Sequence, residues 1–345
     1  MRILVTGGAG FIGSNFVRYM LDKHAHCRII NLDKLTYAGN PDNLRDIEND
    51  PRYRFVKGDI ADVSIVGSLM ANVDIVVNFA AETHVDRSIH EPGGFIQTDV
   101  VGIYVILEEA RKHKTRKIVL VSTDEVYGSI EKGSFTEQDR LSPSSPYSAS
   151  KAGGELLALA YYRTFGLPVC ITRGSNTYGP YQYPEKVIPL FVTNALDDIP
   201  LPLYGDGLNV RDWLHALDHC SAIDLVLHEG VPGEVYNVGG GNERTNIQIT
   251  HMILDLLNKP RTLIKAVPDR LGHDRRYSID CAKIKRLGWR PEQTFEEGMR
   301  ATVDWYAKNE WWWRKLKSGE YLDYYKKQYA TGLESDSERQ QRENE

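Results

Sequence analysis

A tyrosine and a lysine four residues apart, Tyr147 and Lys151, are the first pair in this chain whose types and spacing could do chemistry. On a helix this spacing places both side chains on one face, with Cβ atoms about 5–6 Å apart. A phenol has a pKa of about 10 and is a poor base at neutral pH, but a neighbouring ammonium group and a cationic nicotinamide ring both favour the phenolate. The alternative is a core tyrosine beside a solvated lysine. Joined to a dinucleotide-binding fold, the pair predicts a base for hydride transfer from an alcohol.

A glycine-rich segment near the start of the chain supplies that dinucleotide site. Gly7, Gly10 and Gly13 lie between an apolar run and an amphipathic segment, where they permit a tight turn, close approach of a pyrophosphate, and close packing of helix on strand. Asp33 stands 20 residues after Gly13. A carboxylate there accepts hydrogen bonds from ribose hydroxyls and repels a 2′-phosphate, so the cofactor is predicted to be NAD rather than NADP. The alternative is a glycine turn and a surface aspartate.

Two further segments are expected at the same cofactor, because ligands of open parallel sheets bind outside the carboxyl ends of the strands. Asp59 and Ile60 follow the third apolar run and are candidates for adenine contacts. Residues 79–83 follow the fourth run and are candidates for ribose contacts. Either segment could equally be structural.

The elements that must position these groups form an α/β pattern. Short apolar runs rich in Val and Ile alternate with helical patterns at 14–23 and 102–114, which predicts a Rossmann-type, doubly wound parallel sheet with helices on both faces. The predicted strands are 2–6, 28–32, 53–57, 74–79, 117–122 and 168–173.

The amino-acid composition of the chain changes after Gly174, where Gly and Pro become frequent. We therefore predict a mainly NAD-binding domain at 1–174 and a smaller, mixed α/β C-terminal domain at 175–330, with an interleaved boundary. Residues 331–345 are polar without periodicity and are expected to be a disordered tail.

Composition narrows the class of protein further. The chain has 345 residues and a net charge of −5, which disfavours nucleic acid and anionic membranes as partners. Its four cysteines are widely spaced, which excludes a disulfide framework or zinc ribbon and favours the cytoplasm. No apolar run is long enough for a transmembrane helix, and residues 2–6 lead directly into glycines rather than forming a signal peptide.

Residues 122–128 identify a resemblance that covers roughly residues 1–310. The segment reads Ser-Thr-Asp-Glu-Val-Tyr-Gly, and it resembles the 4,6-dehydratase branch of the nucleotide-sugar enzymes in the extended short-chain dehydrogenase/reductase family. Sugar epimerases of that family resemble it only in Ser-x-x-x-Val-Tyr-Gly. Segments 33–40, 80–89 and 272–277 are similar to the same branch.

The resemblance implies NAD-dependent dehydration of dTDP-glucose in three stages. Tyr147 would take the C4 hydroxyl proton while Thr123 bonds that oxygen, Glu125 would remove the C5 proton, and Asp124 would protonate the departing C6 hydroxyl. Hydride would then return to C6, giving a 4-keto-6-deoxy sugar for 6-deoxysugar synthesis, such as that of rhamnose. One carboxyl must be charged and its neighbour neutral, and burial with like-charge coupling splits paired carboxyl pKa values in this way. The alternative for this pair is a solvated turn.

The resemblance also implies two sets of binding residues. The cofactor set is Gly7, Gly10, Phe11, Ile12, Gly13, Asp33, Lys34, Leu35, Thr36, Asp59, Ile60, Phe79, Ala80, Ala81, Glu82, Thr98, Tyr147, Lys151 and Thr177. The nucleotide-sugar set is Thr83, Thr123, Asn176, Lys186, Val187, Pro202, Leu203, Tyr204, Arg211, Asn246, Arg270 and His273. At four positions this chain differs from the usual family residue: Thr177 and Asp99 replace asparagine, Leu271 replaces proline, and Thr83 replaces serine.

Alternatives to this function are a UDP-glucose 4,6-dehydratase, an epimerase, a decarboxylase, or a catalytically silent NAD-binding protein. No metal is expected, since His215 and His219 have helical ligand spacing but no third ligand is evident. The tryptophans at 311–313 are expected to pack on the body of the protein rather than stack on nucleic acid. Residues 102–107, with Tyr161 and Tyr162, are expected to form the helical interface of a homodimer.

Overall fold

The computed structural model describes residues 1–269 and 273–333. The strands are β1 (Arg2–Thr6), β2 (Arg28–Asp33), β3 (Tyr53–Lys57), β4 (Ile75–Asn78), β5 (Lys117–Thr123), β6 (Val169–Gly174), β7 (Asn176–Tyr178), β8 (Leu201–Tyr204), β9 (Val210–His215), β10 (Val235–Val238), β11 (Glu243–Thr245) and β12 (Ile264–Val267). The helices are α1 (Phe11–Lys23), α2 (Val63–Met70), α3 (Val85–His90), α4 (Gly93–Ile96), α5 (Ile103–Lys112), α6 (Pro146–Phe165), α7 (Val187–Leu196), α8 (Ala216–Glu229), α9 (Asn246–Leu256), α10 (Ala282–Arg286), α11 (Phe295–Lys308), α12 (Glu310–Leu316) and α13 (Glu320–Leu333).

Seven parallel strands form the central sheet in the order β10-β6-β5-β4-β1-β2-β3. The predicted fold class is therefore confirmed, and the six predicted strands agree with the observed ones to within one residue at each end. The chain adds strands to one side of β1 and then to the other, so a crevice opens between the carboxyl ends of β1 and β4.

Apolar layers on both faces hold this sheet rigid. Helices α1 and α8 cover one face through a cluster that includes Phe16, Val17 and Ile223, while α2, α5 and α6 cover the other. Because the strands are buried on both faces, their sequences are continuously apolar rather than alternating.

The second half of the chain has a core of its own. Strands β7, β9 and β11 form a three-stranded sheet and β8 pairs with β12, over a cluster that contains Trp312 and Trp313. The expectation that these tryptophans pack on the body is confirmed for both, whereas Trp311 is exposed. Strand β10 returns to the edge of the main sheet beside β6. Helix α13 extends to Leu333, and the rest of the predicted tail, 334–345, lies outside the described residues.

Helix α6, which carries Tyr147 and Lys151, is fixed at its start and along its length. Ser145 caps it in a reciprocal pair with Ser148, and a proline occupies the first turn, which is the residue pattern that helix starts favour. Farther along, Arg173 of β6 donates to Glu155 Oε2 at 2.9 and 2.6 Å in a fully buried ion pair. The contact joins α6 to strand β6 of the central sheet, so it fixes the position of the helix that carries Tyr147 and Lys151.

A wide π-helical turn at Gln97–Gly102 joins α4 to α5 opposite α6. A Cβ atom at Gly102 would lie 2.5 Å from Ile60 Cδ1, so any side chain there would require the Ile60 side chain to move. Such turns occur frequently at functional sites, and this one carries Thr98 and Asp99.

Candidate active site

The glycine loop between β1 and α1 is shaped for a phosphate group. Gly7 has a φ of +70°, and a Cβ there would lie 2.5 Å from the amide nitrogen of Ala80. A Cβ at Gly13 would lie 2.4 Å from the carbonyl oxygen of Gly7. No side chain caps the N-terminus of α1 at Gly10, and residues 11–13 line the adjoining cavity. The first-turn amides and the helix dipole are therefore available to an anion.

Asp33 closes the end of β2 beside this loop. Its carboxylate accepts hydrogen bonds from the amides of Ala9 at 2.9 Å and Leu35 at 2.8 Å. Burial raises the pKa of Asp33, and the two amide hydrogen bonds oppose that rise. The side chain lines the cavity where the sequence placed the adenosine ribose.

A first cavity, about 1220 Å³ with its open mouth, runs along the carboxyl ends of the strands. Most of the predicted cofactor residues line it: Gly7, Gly10, Phe11, Ile12, Gly13, Asp33, Lys34, Thr36, Asp59, Ile60, Phe79, Ala80, Ala81, Glu82, Thr98, Tyr147 and Lys151. This set fits NAD because it combines a glycine-shaped phosphate cradle with a carboxylate at the ribose position.

Two predicted cofactor residues, Leu35 and Thr177, are not among the side chains that line this cavity. Leu35 packs instead against the hydrophobic core cluster around α1. The hydroxyl of Thr177 lies 3.1 Å from the carbonyl oxygen of Ser175 and 2.8 Å from His219 Nδ1. Local hydrogen bonding therefore turns Thr177 into the protein.

A second cavity, about 910 Å³, adjoins the first and shares Tyr147, Glu185 and Lys186 with it. Most of the predicted nucleotide-sugar residues line it: Asn176, Lys186, Val187, Pro202, Leu203, Tyr204, Arg211, Asn246 and His273. Thr83 lines the first cavity near the junction, and its hydroxyl accepts from Lys186 Nζ at 3.2 Å. Arg270 lies outside the described residues. Among the described residues, Lys186 and Arg211 bring positive charge to this cavity, and Asp86, Glu125 and Glu185 line it as well.

Asp124 and Glu125 lie in a single 3₁₀ turn after β5, where the Thr123 hydroxyl accepts from the amide of Glu125 at 3.2 Å. Glu125 lines the second cavity, whereas Asp124 is buried behind it. Burial holds the pKa of Asp124 well above its usual range, and the charges of Glu125 and Asp212 raise it further. The arrangement places a carboxyl whose protonated form is favoured beside a carboxyl that reaches the cavity.

Tyr147 lies where the two cavities meet. Burial holds the pKa of its phenol well above its usual range, the charges of Glu125 and Asp99 add to that rise, and a hydrogen bond with Thr123 opposes it. Lys151 Nζ donates to the carbonyl oxygen of Val121 at 3.0 Å. Burial and the neighbouring carboxylates therefore oppose the effect that the sequence analysis expected of Lys151 and a nicotinamide ring on the pKa of the phenol.

Several cavity residues were missed by sequence reasoning. Glu185 is buried at the junction and accepts from Arg87 Nε at 3.0 Å, and the Arg87 guanidinium lies 3.6 Å from the centre of the Tyr37 ring. Tyr277 and Tyr329 line the second cavity from distant parts of the chain. Tyr37, Arg87 and Tyr277 lie in segments 33–40, 80–89 and 272–277, which carry the resemblance but were given no site role for these residues. Glu185 and Tyr329 lie outside those segments, so only the fold brings them to the site.

The two histidines considered as metal ligands have structural roles. His215 precedes α8 rather than lying within it, and its Nδ1 accepts from the amide of Leu217. Burial lowers the pKa of His215 and of His219 to about 4, so both are neutral at physiological pH. Neutral, buried rings of this kind serve packing and hydrogen bonding around Thr177.

The fold and the site together define a nucleotide-sugar enzyme of the short-chain dehydrogenase/reductase type. The family model for GDP-mannose 4,6 dehydratase matches residues 4–302. A dTDP-glucose 4,6-dehydratase from Streptomyces antibioticus is 56% identical, over 92% of this chain and 96% of the relative. The chain belongs to this family and, within it, groups with the dTDP-glucose 4,6-dehydratases.

Solved structures agree with this grouping. DesIV, a dTDP-glucose 4,6-dehydratase from Streptomyces venezuelae solved with NAD and TYD bound, is 54% identical with a TM-score of 0.90, over 92% of this chain and all of that one. The dTDP-glucose 4,6-dehydratase from Bacillus anthracis, solved in complex with NAD, is 54% identical with a TM-score of 0.87 over the same shares. The resemblance found in the sequence is thereby confirmed.

Proposed function

We propose that this protein is an NAD-dependent lyase that converts dTDP-glucose to dTDP-4-keto-6-deoxyglucose. The observation that carries the proposal is the Asp124–Glu125 turn beside Tyr147, where the cavity lined by the glycine loop meets a second cavity that contains Lys186 and Arg211. A pair of carboxyls in unlike environments is what an elimination needs, since one must donate a proton and the other accept one.

The chain's own residues divide the work of the reaction. Bound NAD supplies a hydride acceptor for oxidation at C4 and a hydride donor for reduction at C6. Tyr147 accepts the C4 hydroxyl proton, and Thr123 holds that oxygen. The new ketone makes the C5 hydrogen acidic, Glu125 removes it, and Asp124 protonates the C6 hydroxyl as water leaves. The raised pKa of Asp124 favours its protonated form, as this role requires.

The second cavity is proposed to bind the nucleoside diphosphate. Lys186 and Arg211 offer cationic donors to the phosphates, and Tyr204 offers a ring and a hydroxyl to the base. Gln328 of α13 donates to the Tyr204 hydroxyl at 2.7 Å, which fixes the ring. On this proposal residues 1–174 mainly bind NAD, and 175–330 mainly bind the nucleotide sugar.

Incubation with dTDP-glucose in heavy water tests the function. We expect the product, by mass spectrometry, to have lost one water and gained one deuterium at C5, because Glu125 exchanges its proton with solvent. NAD in trace amount is expected to suffice, since the hydride returns to the sugar. Unchanged dTDP-glucose would overturn the proposed substrate. Conversion of UDP-glucose instead would change only the nucleotide base that the enzyme prefers. If neither sugar loses water, the dehydratase function is overturned.

We also propose a homodimer through the helical face that the sequence predicted, although several of the side chains expected there are buried. Ile103, Val105, Ile106 and Leu107 are buried under the sheet, so segment 102–107 contributes only Tyr104 to the surface. The exposed apolar side chains on α4–α6 and the π-helical turn are Ile96, Val101, Tyr104, Leu156, Tyr162 and Phe165. Since α5 packs against α6, pairing of these two helices with a second copy would bury them in a four-helix bundle.

Leu156→Asp is expected to convert the dimer to a monomer in sedimentation-velocity runs, because Leu156 is 59% exposed on the proposed face and the change would bury two unpaired carboxylates per dimer. Leu217→Asp is the matched control, since Leu217 is 45% exposed on α8, on the opposite face of the sheet. Equal sedimentation of the wild type and Leu156→Asp would contradict the interface.

The described residues contain no helix long and apolar enough to cross a bilayer. All four cysteines are buried and free, which supports the proposal that the enzyme works in the reducing cytoplasm, where its product would enter 6-deoxysugar synthesis such as that of rhamnose.

A further inference from the structure

Asp99 is a buried carboxyl directly behind the catalytic lysine. It lies in the π-helical turn between α4 and α5 with 2% of its surface exposed. Its Oδ2 accepts from the Ser150 hydroxyl at 2.8 Å, and its Oδ1 lies 4.0 Å from Lys151 Nζ and has no hydrogen-bond partner among the described residues. An asparagine at position 99 would have the same shape as Asp99 but no charge. The question is therefore what a charge at this buried position does.

The groups that face Asp99 come from two elements. Helix α6 presents Ser150, Lys151 and Tyr147, and the loop after β4 presents Glu82. Burial raises the pKa of Asp99 to about 6, with Glu82 adding to the rise and Lys151 and Ser150 opposing it. The carboxyl is therefore mostly ionised at neutral pH and changes charge just below it.

The charge on Asp99 also acts on Tyr147, because it is one of the causes that raise the pKa of the phenol. A negative charge near Lys151 offsets the ammonium charge that would otherwise favour the phenolate. Asp99 does not line either cavity, so this influence is exerted from behind the reacting groups.

Building on the proposed function, we propose that the charge on Asp99 controls how readily Tyr147 gives up its proton, acting through Lys151. Asp99 is thus a positioning residue for the base and does not touch the substrate. Ionised Asp99 holds Tyr147 as a phenol until a substrate hydroxyl and cationic nicotinamide are both in place. This prevents a buried phenolate from persisting between turnovers.

The test is Asp99→Asn, which keeps the shape and removes the charge. In the binary complex with NAD, the Cζ resonance of carbon-13-labelled tyrosine, assigned to Tyr147 with Tyr147→Phe, is followed against pH. We expect Tyr147 in Asp99→Asn to titrate about one pH unit lower than in the wild type, because a nearby buried charge shifts a pKa by an amount of this order. The acidic limb of the kcat–pH profile is expected to move downward with it.

Ser150→Ala is the matched control, because it breaks the same contact but leaves the carboxylate charged while Tyr147 titrates. We expect its Tyr147 titration to stay with the wild type. An equal shift in both variants would mean that packing rather than charge is responsible, and no shift in Asp99→Asn would overturn the inference. The tyrosine resonance is measured without sugar, so the Asp99 result does not depend on whether dehydration occurs. Failure of dehydration would overturn the proposed function instead.

Discussion

Tyr147→Phe is expected to lower kcat for dTDP-glucose about a thousandfold. The substitution keeps the ring at the junction of the two cavities but removes the oxygen that is proposed to accept the C4 hydroxyl proton. General-base catalysis contributes about 10²–10⁴ in rate, and a thousandfold loss corresponds to about 4 kcal/mol of transition-state stabilisation. The measurement is single-turnover product formation at saturating sugar, so that binding does not obscure the chemical step.

The matched control for this substitution is Tyr161→Phe, on the same helix. The Tyr161 hydroxyl donates to Glu108 on α5 at 2.7 Å and lies outside both cavities. Its loss is expected to leave kcat within a few fold of the wild type. Near-normal turnover of Tyr147→Phe would remove it as the base.

The double variant Asp124→Asn with Glu125→Gln is expected to oxidise C4 but not to eliminate water. Tyr147 and Lys151 remain intact, so the first stage proceeds, but the acid and base for the C5–C6 elimination are both gone. The sugar should therefore stop at the 4-ketone with its C6 hydroxyl in place. Near-ultraviolet absorbance of reduced nicotinamide should rise with substrate and persist, and mass spectrometry should detect no loss of water.

Glu131→Gln with Asp139→Asn is the corresponding control, because it removes two exposed carboxylates from the segment that follows the catalytic turn. It is expected to dehydrate the substrate at the wild-type rate without persistent absorbance. Normal dehydration by the Asp124→Asn, Glu125→Gln protein would refute the roles assigned to the pair.

The sequence predicted the sheet well because the physical signals there are local. Buried parallel strands need continuous apolar runs, and each such run ended within one residue of the observed strand. The glycine loop and Asp33 after the next strand were predicted equally well. Glycine is required for the tight turn and the close approach of a phosphate, and a carboxylate is required to accept from ribose hydroxyls. The Tyr147–Lys151 spacing acquired meaning only in combination with that loop.

The sequence predicted less where side chains from distant elements converge. Glu185 and Tyr329 reach the cavities through tertiary packing, and no motif or periodicity in the sequence marks them. Leu35 and Thr177, predicted as cofactor-binding residues, do not line the first cavity. Leu35 packs against the core cluster around α1, and Thr177 is hydrogen-bonded to His219. The apolar segment 102–107 was assigned to the surface, but a helix over a sheet must turn most of such a segment inward.

Strand β10 belongs by sequence to the second half of the chain, yet it forms an edge of the main sheet beside β6. Every residue of β6 is buried, so a fragment ending at residue 174 would expose an unprotected apolar edge that invites pairing between chains. The two halves are therefore not interchangeable modules: an exchange of substrate-recognition segments between relatives must carry a strand that fits this edge, or the cofactor half fails to fold.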